Sequence, residues 1–143
     1  MYRLSKGAQM TFVEAIRSCY SNYFTFSGRS RRSEYWWFLL FGVIVAVVIG
    51  LVEGGGTTHV GDGMAMAAYQ GGPIATVWSL VNFFPSLSVA VRRLHDLDKS
   101  GWWVLLILIP LVGAIILIVW FATKGTSGGN RFGPDPMLGA TSV

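Results

Sequence analysis

The sequence predicts an all-α membrane protein, with an N-terminal amphipathic interfacial helix followed by three transmembrane helices. Three observations carry that expectation. Of the 143 residues, 52% are hydrophobic and only 13% charged, about half the charged share of a soluble domain and too little to cover a water-facing surface. Three stretches, 35–52, 73–91 and 102–123, hold no Asp, Glu, Lys or Arg over 18, 19 and 22 residues. As helices they reach about 27, 29 and 33 Å, against a hydrocarbon core of about 30 Å. Aromatic residues mark the ends of these stretches, as at a membrane interface. Helices are required because lipid offers backbone N–H and C=O groups no partners. The chain divides into a cytoplasmic segment 1–34, a transmembrane region 35–123 and a Gly/Pro-rich tail 124–143.

The first segment holds a local start signal. Thr11 and Glu14 have the spacing of a capping box, which begins a helix at Phe12. Phe12, Val13, Ile16, Cys19, Tyr20 and Tyr23 then recur at helical spacing, with Glu14, Arg17, Ser18 and Ser21 largely elsewhere. Such a helix lies on the cytoplasmic interface or packs against the protein's own spans. Gly28 breaks the pattern, and Arg29, Arg31 and Arg32 stand just before the first span. Cys19 is the single cysteine, which excludes an intrachain disulfide and a Cys-based zinc site. It reads as a small apolar residue rather than a reactive thiol.

Tyr35, Trp36 and Trp37 open the first span, Trp102 and Trp103 open the third, and Trp120 and Phe121 stand near its end. On a continuous helix Trp102 and Trp120 are about 27 Å apart, one at each interface. The loop 53–72 is glycine-rich, and its His59 and Asp62 are too few to make a metal site. In the second span, Asn82 either bonds a neighbouring helix or lines a pathway, and Pro85 kinks the helix.

Basic residues set the orientation. Residues 1–34 hold six Lys and Arg, the loop 53–72 none, and the second loop Arg92, Arg93 and Lys99. The positive-inside rule puts the N-terminus and the second loop in the cytoplasm. The net charge of +4 then lies beside the bilayer, facing anionic lipid headgroups, and nucleic-acid binding loses its support.

The second loop, "RRLHDLDKSGWW", is the densest charge cluster. Asp96, Asp98, Ser100 and Gly101 match positions 1, 3, 5 and 6 of a calcium loop, but Leu106 and Ile107 occupy positions 9 and 12, so that reading fails. As an elbow the stretch explains more. Arg92 and Asp96 form an i,i+4 pair, and Asp98 or Ser100 caps the third helix. His95 is the best candidate for chemistry, since an imidazole titrates near neutrality, although a structural interface histidine is the plainer reading.

The stretches "GRSRRSEYWWF", "RRLHDLDKSGWW" and "GTSGGNRFGPDP", in this order, resemble domain-of-unknown-function family 805 over roughly residues 12–136. The resemblance implies a small polytopic protein of the bacterial inner (cytoplasmic) membrane and carries no biochemical activity with it. The long glycine-rich loop reads as this chain's own elaboration. With three full spans, the tail motif lies outside. A re-entrant hairpin at Pro110 and Gly113 would instead gather all three motifs on one face. Its arms would reach only about 12 and 15 Å and would expose backbone to lipid, so the kinked full span is favoured.

No catalytic, cofactor or metal constellation emerges. The candidate lipid or partner contacts are Arg29, Arg31, Arg32, Arg92, Arg93, His95, Asp96 and Asp98, with Arg31 or Arg32 paired to Asp96 or Asp98. The expected role is a non-enzymatic interaction or accessory subunit, as a homo-oligomer or within a larger membrane complex. The alternatives are a small transporter or channel subunit and a lipid-headgroup binder.

Overall fold

The structure, a computed structural model, describes residues 10–54 and 71–138, so His59 and Asp62 lie outside the described residues. The described residues form helices α1 (Phe12–Ser21), α2 (Arg32–Val52) and α3 (Pro73–Asp96), a 3₁₀ helix (Gly101–Leu108) and helix α4 (Val112–Ala122).

Helix α1 starts where the capping box places it. Glu14 Oε2 accepts the Thr11 backbone N–H at 2.8 Å, and Thr11 Oγ1 accepts that of Glu14 at 3.4 Å. The Thr11 backbone N–H, with its hydroxyl, holds the Glu14 carboxyl below its ordinary range. The aromatic stripe of α1 faces α2: Phe12 meets Trp37 edge-on at 5.8 Å, and Tyr20 meets Phe38 at 5.7 Å. Cys19 is buried against Phe38 and Val89, and that burial raises its thiol well above the ordinary value, as suits an inert core residue.

Helices α2 and α3 are long and apolar enough to cross a membrane. Only 11% and 22% of their most apolar windows are buried in protein, whereas the core helix of a soluble protein is mostly buried. Pro85 sits inside α3 and has no N–H for the Val81 carbonyl one turn back. The Tyr23 hydroxyl donates to that carbonyl instead. Tyr20 donates to Asn82 Oδ1 at 2.6 Å, and Asn82 Nδ2 donates to the Trp78 carbonyl at 2.9 Å. The last turn of α1 and the residues just after it thus supply the donors that this proline-bearing helix needs.

The third apolar stretch is not one helix, so two of the three expected membrane-length helices are found among the described residues. The chain reverses at Pro110 and Leu111, and the rings of Trp103 and Trp120 meet edge-on at 5.7 Å. On a straight helix those two residues would stand about 25 Å apart, so the indoles mark one level rather than two interfaces. The reversal is a γ-turn: Leu111 has φ 61° and ψ −65°, and the Val112 N–H donates to the Pro110 carbonyl at 2.8 Å. Proline brings no donor to the tip. A Cβ on Gly113 would strike the Leu106 carbonyl, so glycine there is what lets the arms close. The first arm is 3₁₀, with a rise of about 2.0 Å per residue, and its eight residues reach about 16 Å. Helix α4, with 11 residues, reaches about the same length. Matched arms let the hairpin return to its starting level.

Candidate functional site

The site is one end of this bundle, where all three sequence motifs converge. Its floor is the end of α3. Leu97 is the C-cap, and Asp98 follows with φ 57°. The Asp98 N–H donates to His95 O, and the Lys99 N–H to Leu94 O, both at 3.0 Å. This is a Schellman ending with an aspartate in the left-handed position. Asp98 therefore terminates α3 rather than capping the next helix. Ser100 takes that role, its Oγ accepting the Trp102 N–H at 3.4 Å.

Two buried carboxylates organise the cluster. Asp96 accepts from Arg29 at 2.9 Å through Oδ1 and from Arg93 through Oδ2. Both guanidiniums are enclosed, their side chains 1% and 0% exposed. Glu34 accepts from Arg92 at 3.1 Å and from the Ser18 hydroxyl at 2.9 Å on Oε1, and from the Ser30 hydroxyl at 2.8 Å on Oε2. The i,i+4 pairing of Arg92 with Asp96 is thus replaced by Arg93 with Asp96 at i,i+3. Nor do Arg31 and Arg32 pair with Asp96 or Asp98. Arg31 donates to the Pro136 carbonyl at 2.9 and 2.6 Å, Arg32 to the Ala122 carbonyl at 3.2 Å, and the exposed Asp98 pairs with Arg131 at 3.3 Å. Asp96 is claimed first by the two arginines buried beside it.

The returning end of α4 is held by the same cations. A helix C-terminus leaves carbonyls unsatisfied and carries partial negative charge. Here Phe121 O accepts from Arg93 Nε at 3.2 Å and from Trp36 Nε1 at 3.3 Å, while Arg93 Nη2 reaches Thr123 O. With Arg32 on Ala122 O, two motifs cap the hairpin whose return brings in the third.

That third motif then covers the elbow. The Thr126 N–H and hydroxyl donate to Asp96 O at 2.8 and 3.0 Å, and Asn130 Nδ2 donates to His95 O at 2.8 Å. Arg29 reaches across to the carbonyls of Thr126 and Gly128, each at 2.6 Å. His95 is 8% exposed, stacked on Phe132 with ring centroids 3.9 Å apart, and its Nδ1 lies 3.1 Å from the Gly28 carbonyl. A carbonyl only accepts, so Nδ1 carries the proton. A Cβ on Gly125 would strike the Asp96 carboxylate, which explains glycine at the start of the tail motif.

Of the sequence-derived candidates, Arg29, Arg92, Arg93, His95 and Asp96 come together in this buried cluster, whereas Arg31, Arg32 and Asp98 lie toward its rim. Glu34 was not among them. Its signal was available: it is the single acid in "GRSRRSEYWWF", opposite three arginines. Thr126, Asn130 and Phe132 give no local signal of their place in the site, because the elbow residues they contact are 30 or more positions away.

The family model described as "Protein of unknown function (DUF805)" matches residues 23–134. The inner membrane protein YhaI of Escherichia coli (strain K12) is 40% identical over 123 residues, covering 86% of this chain and 95% of that protein. The inner membrane protein YhaH of the same strain is 44% identical over 119 residues, covering 82% and 91%. No solved structure matches the chain.

Proposed function

The chain belongs to the DUF805 family, and from that premise we propose that it is a non-enzymatic accessory protein of the bacterial inner membrane, with two spans and both ends in the cytoplasm. The observation that carries this reading is the saturation of the elbow's two buried carboxylates. Asp96 is taken by two guanidiniums and Glu34 by Arg92 and two hydroxyls, while His95 spends its Nδ1–H on a carbonyl and stacks on an aromatic face. A general base must reach the proton it abstracts. These groups instead hold three distant segments of the chain together. Asn82, the residue a transport path would use, is similarly committed to Tyr20 and Trp78.

The charge count supports the orientation. Because the hairpin returns, Lys124 and Arg131 join the inner end, and the loop between the spans holds none of the chain's 11 Lys and Arg. Assembly is supported by a groove of about 290 Å³ between α2 and α3, whose lining includes Gly42, Ala46, Ser86 and Ala90. Small residues of this kind let a membrane helix approach closely. The expected occupant is a second copy. Crosslinking after extraction in gentle detergent tests this. A homo-oligomer of defined size, abolished by Ala46→Leu or Ser86→Leu, is expected. A monomer with no crosslinked species contradicts the assembly.

A further inference from the structure

We propose that Arg32 and Lys124 form a site for the phosphate of an anionic phospholipid, where α2 and α4 emerge at the inner face. The two side chains line one cavity of about 80 Å³, together with Arg31, Ser127 and Asp135. Its arginines and acids differ in how far their charge is already used. Asp96, also on the lining, is neutralised by Arg29 and Arg93, and Asp135 accepts the N–H groups of Gly128 at 3.0 Å and Met137 at 2.8 Å. Arg31 is engaged with the Pro136 carbonyl. Arg32 spends one N–H on Ala122, and Lys124 is exposed with no hydrogen bond or ion pair among the described residues. Two cations thus face one phosphate-sized space with most of their donors unspent.

Depth argues for a lipid as the source of the phosphate. Arg32 opens α2, and Lys124 follows the last residues of α4. Trp36, one turn into α2, bonds the Phe121 carbonyl at 3.3 Å and so stands at the same level, where an indole marks the headgroup region. One to two turns deeper, Leu39, Leu40, Ile118 and Val119 are exposed for acyl chains. A phosphodiester in the bilayer reaches the cavity laterally, with its tails against both helices.

The inference rests on the membrane placement proposed above and not on assembly, so a monomer that retains lipid fails that test and passes this one. Native mass spectrometry of the full chain in detergent, titrated with phosphatidylglycerol, reads the site. One tightly held lipid is expected, weakened roughly fivefold by Arg32→Gln and again by Lys124→Gln, from about 1 kcal/mol per surface cation. Lys124→Gln removes no hydrogen bond or ion pair among the described residues, so its effect stands even if Arg32→Gln loosens α4. Arg131→Gln, on the exposed pair with Asp98, should leave the affinity unchanged. Equal affinity in Lys124→Gln and the parent overturns the site. Displacement of the lipid by millimolar inorganic phosphate, at the same potency as free phosphatidylglycerol, overturns the lipid assignment.

Discussion

Asp96→Asn is expected to remove about 3–5 kcal/mol of stability, the usual consequence of leaving buried charge without its partner. The substitution keeps the side chain's shape but strands two guanidiniums, those of Arg29 and Arg93, in an enclosed site. Those arginines also carry the tail and the end of α4 through their bonds to Thr126, Gly128, Phe121 and Thr123. Loss of the carboxylate therefore loosens both segments together. Thermal unfolding of the purified protein in detergent measures the effect. Asp98→Asn is the matched control, because its pair with Arg131 is 46% and 60% exposed and should matter by about 0.5 kcal/mol or less. Equal unfolding of the two variants would mean that Asp96 does not hold the cap.

The second large effect is expected from Gly113→Val. A Cβ there strikes the backbone carbonyl of Leu106, which cannot swing aside as a flexible side chain does. The cost should exceed the roughly 1–3 kcal/mol of ordinary overpacking, because the two arms of the hairpin must separate. Cysteines introduced as Trp103→Cys and Trp120→Cys report that separation, since the parent rings are 5.7 Å apart. The pair should crosslink in the parent background and fail to do so with Gly113→Val. Crosslinking of equal efficiency in both would contradict the close approach at Gly113.

Much of this architecture is legible in the sequence, and the parts that are not share a cause. The start of α1, the apolar runs of α2 and α3 and the Ser100 cap follow from signals within a few residues. The hairpin does not, although Pro110 and Gly113 mark the place. An α-helical rise makes its first arm look too short, while the 3₁₀ rise brings both arms to about 16 Å. The groups that satisfy the end of α4 also lie far away, in Arg32, Trp36 and Arg93. Ion pairing failed for a related reason. Helical spacing permits both Arg92 and Arg93 to reach Asp96, and tertiary contact alone assigns Arg92 to Glu34.

Residues 102–123 fold back and return the tail to the elbow, and we propose that they do so instead of crossing the membrane. Paired reporters fused after Val143, one fluorescent only in the cytoplasm and one active only outside it, test this most directly. Strong fluorescence and no external activity are expected. External activity without fluorescence would mean a third complete span and would separate the tail motif from the elbow.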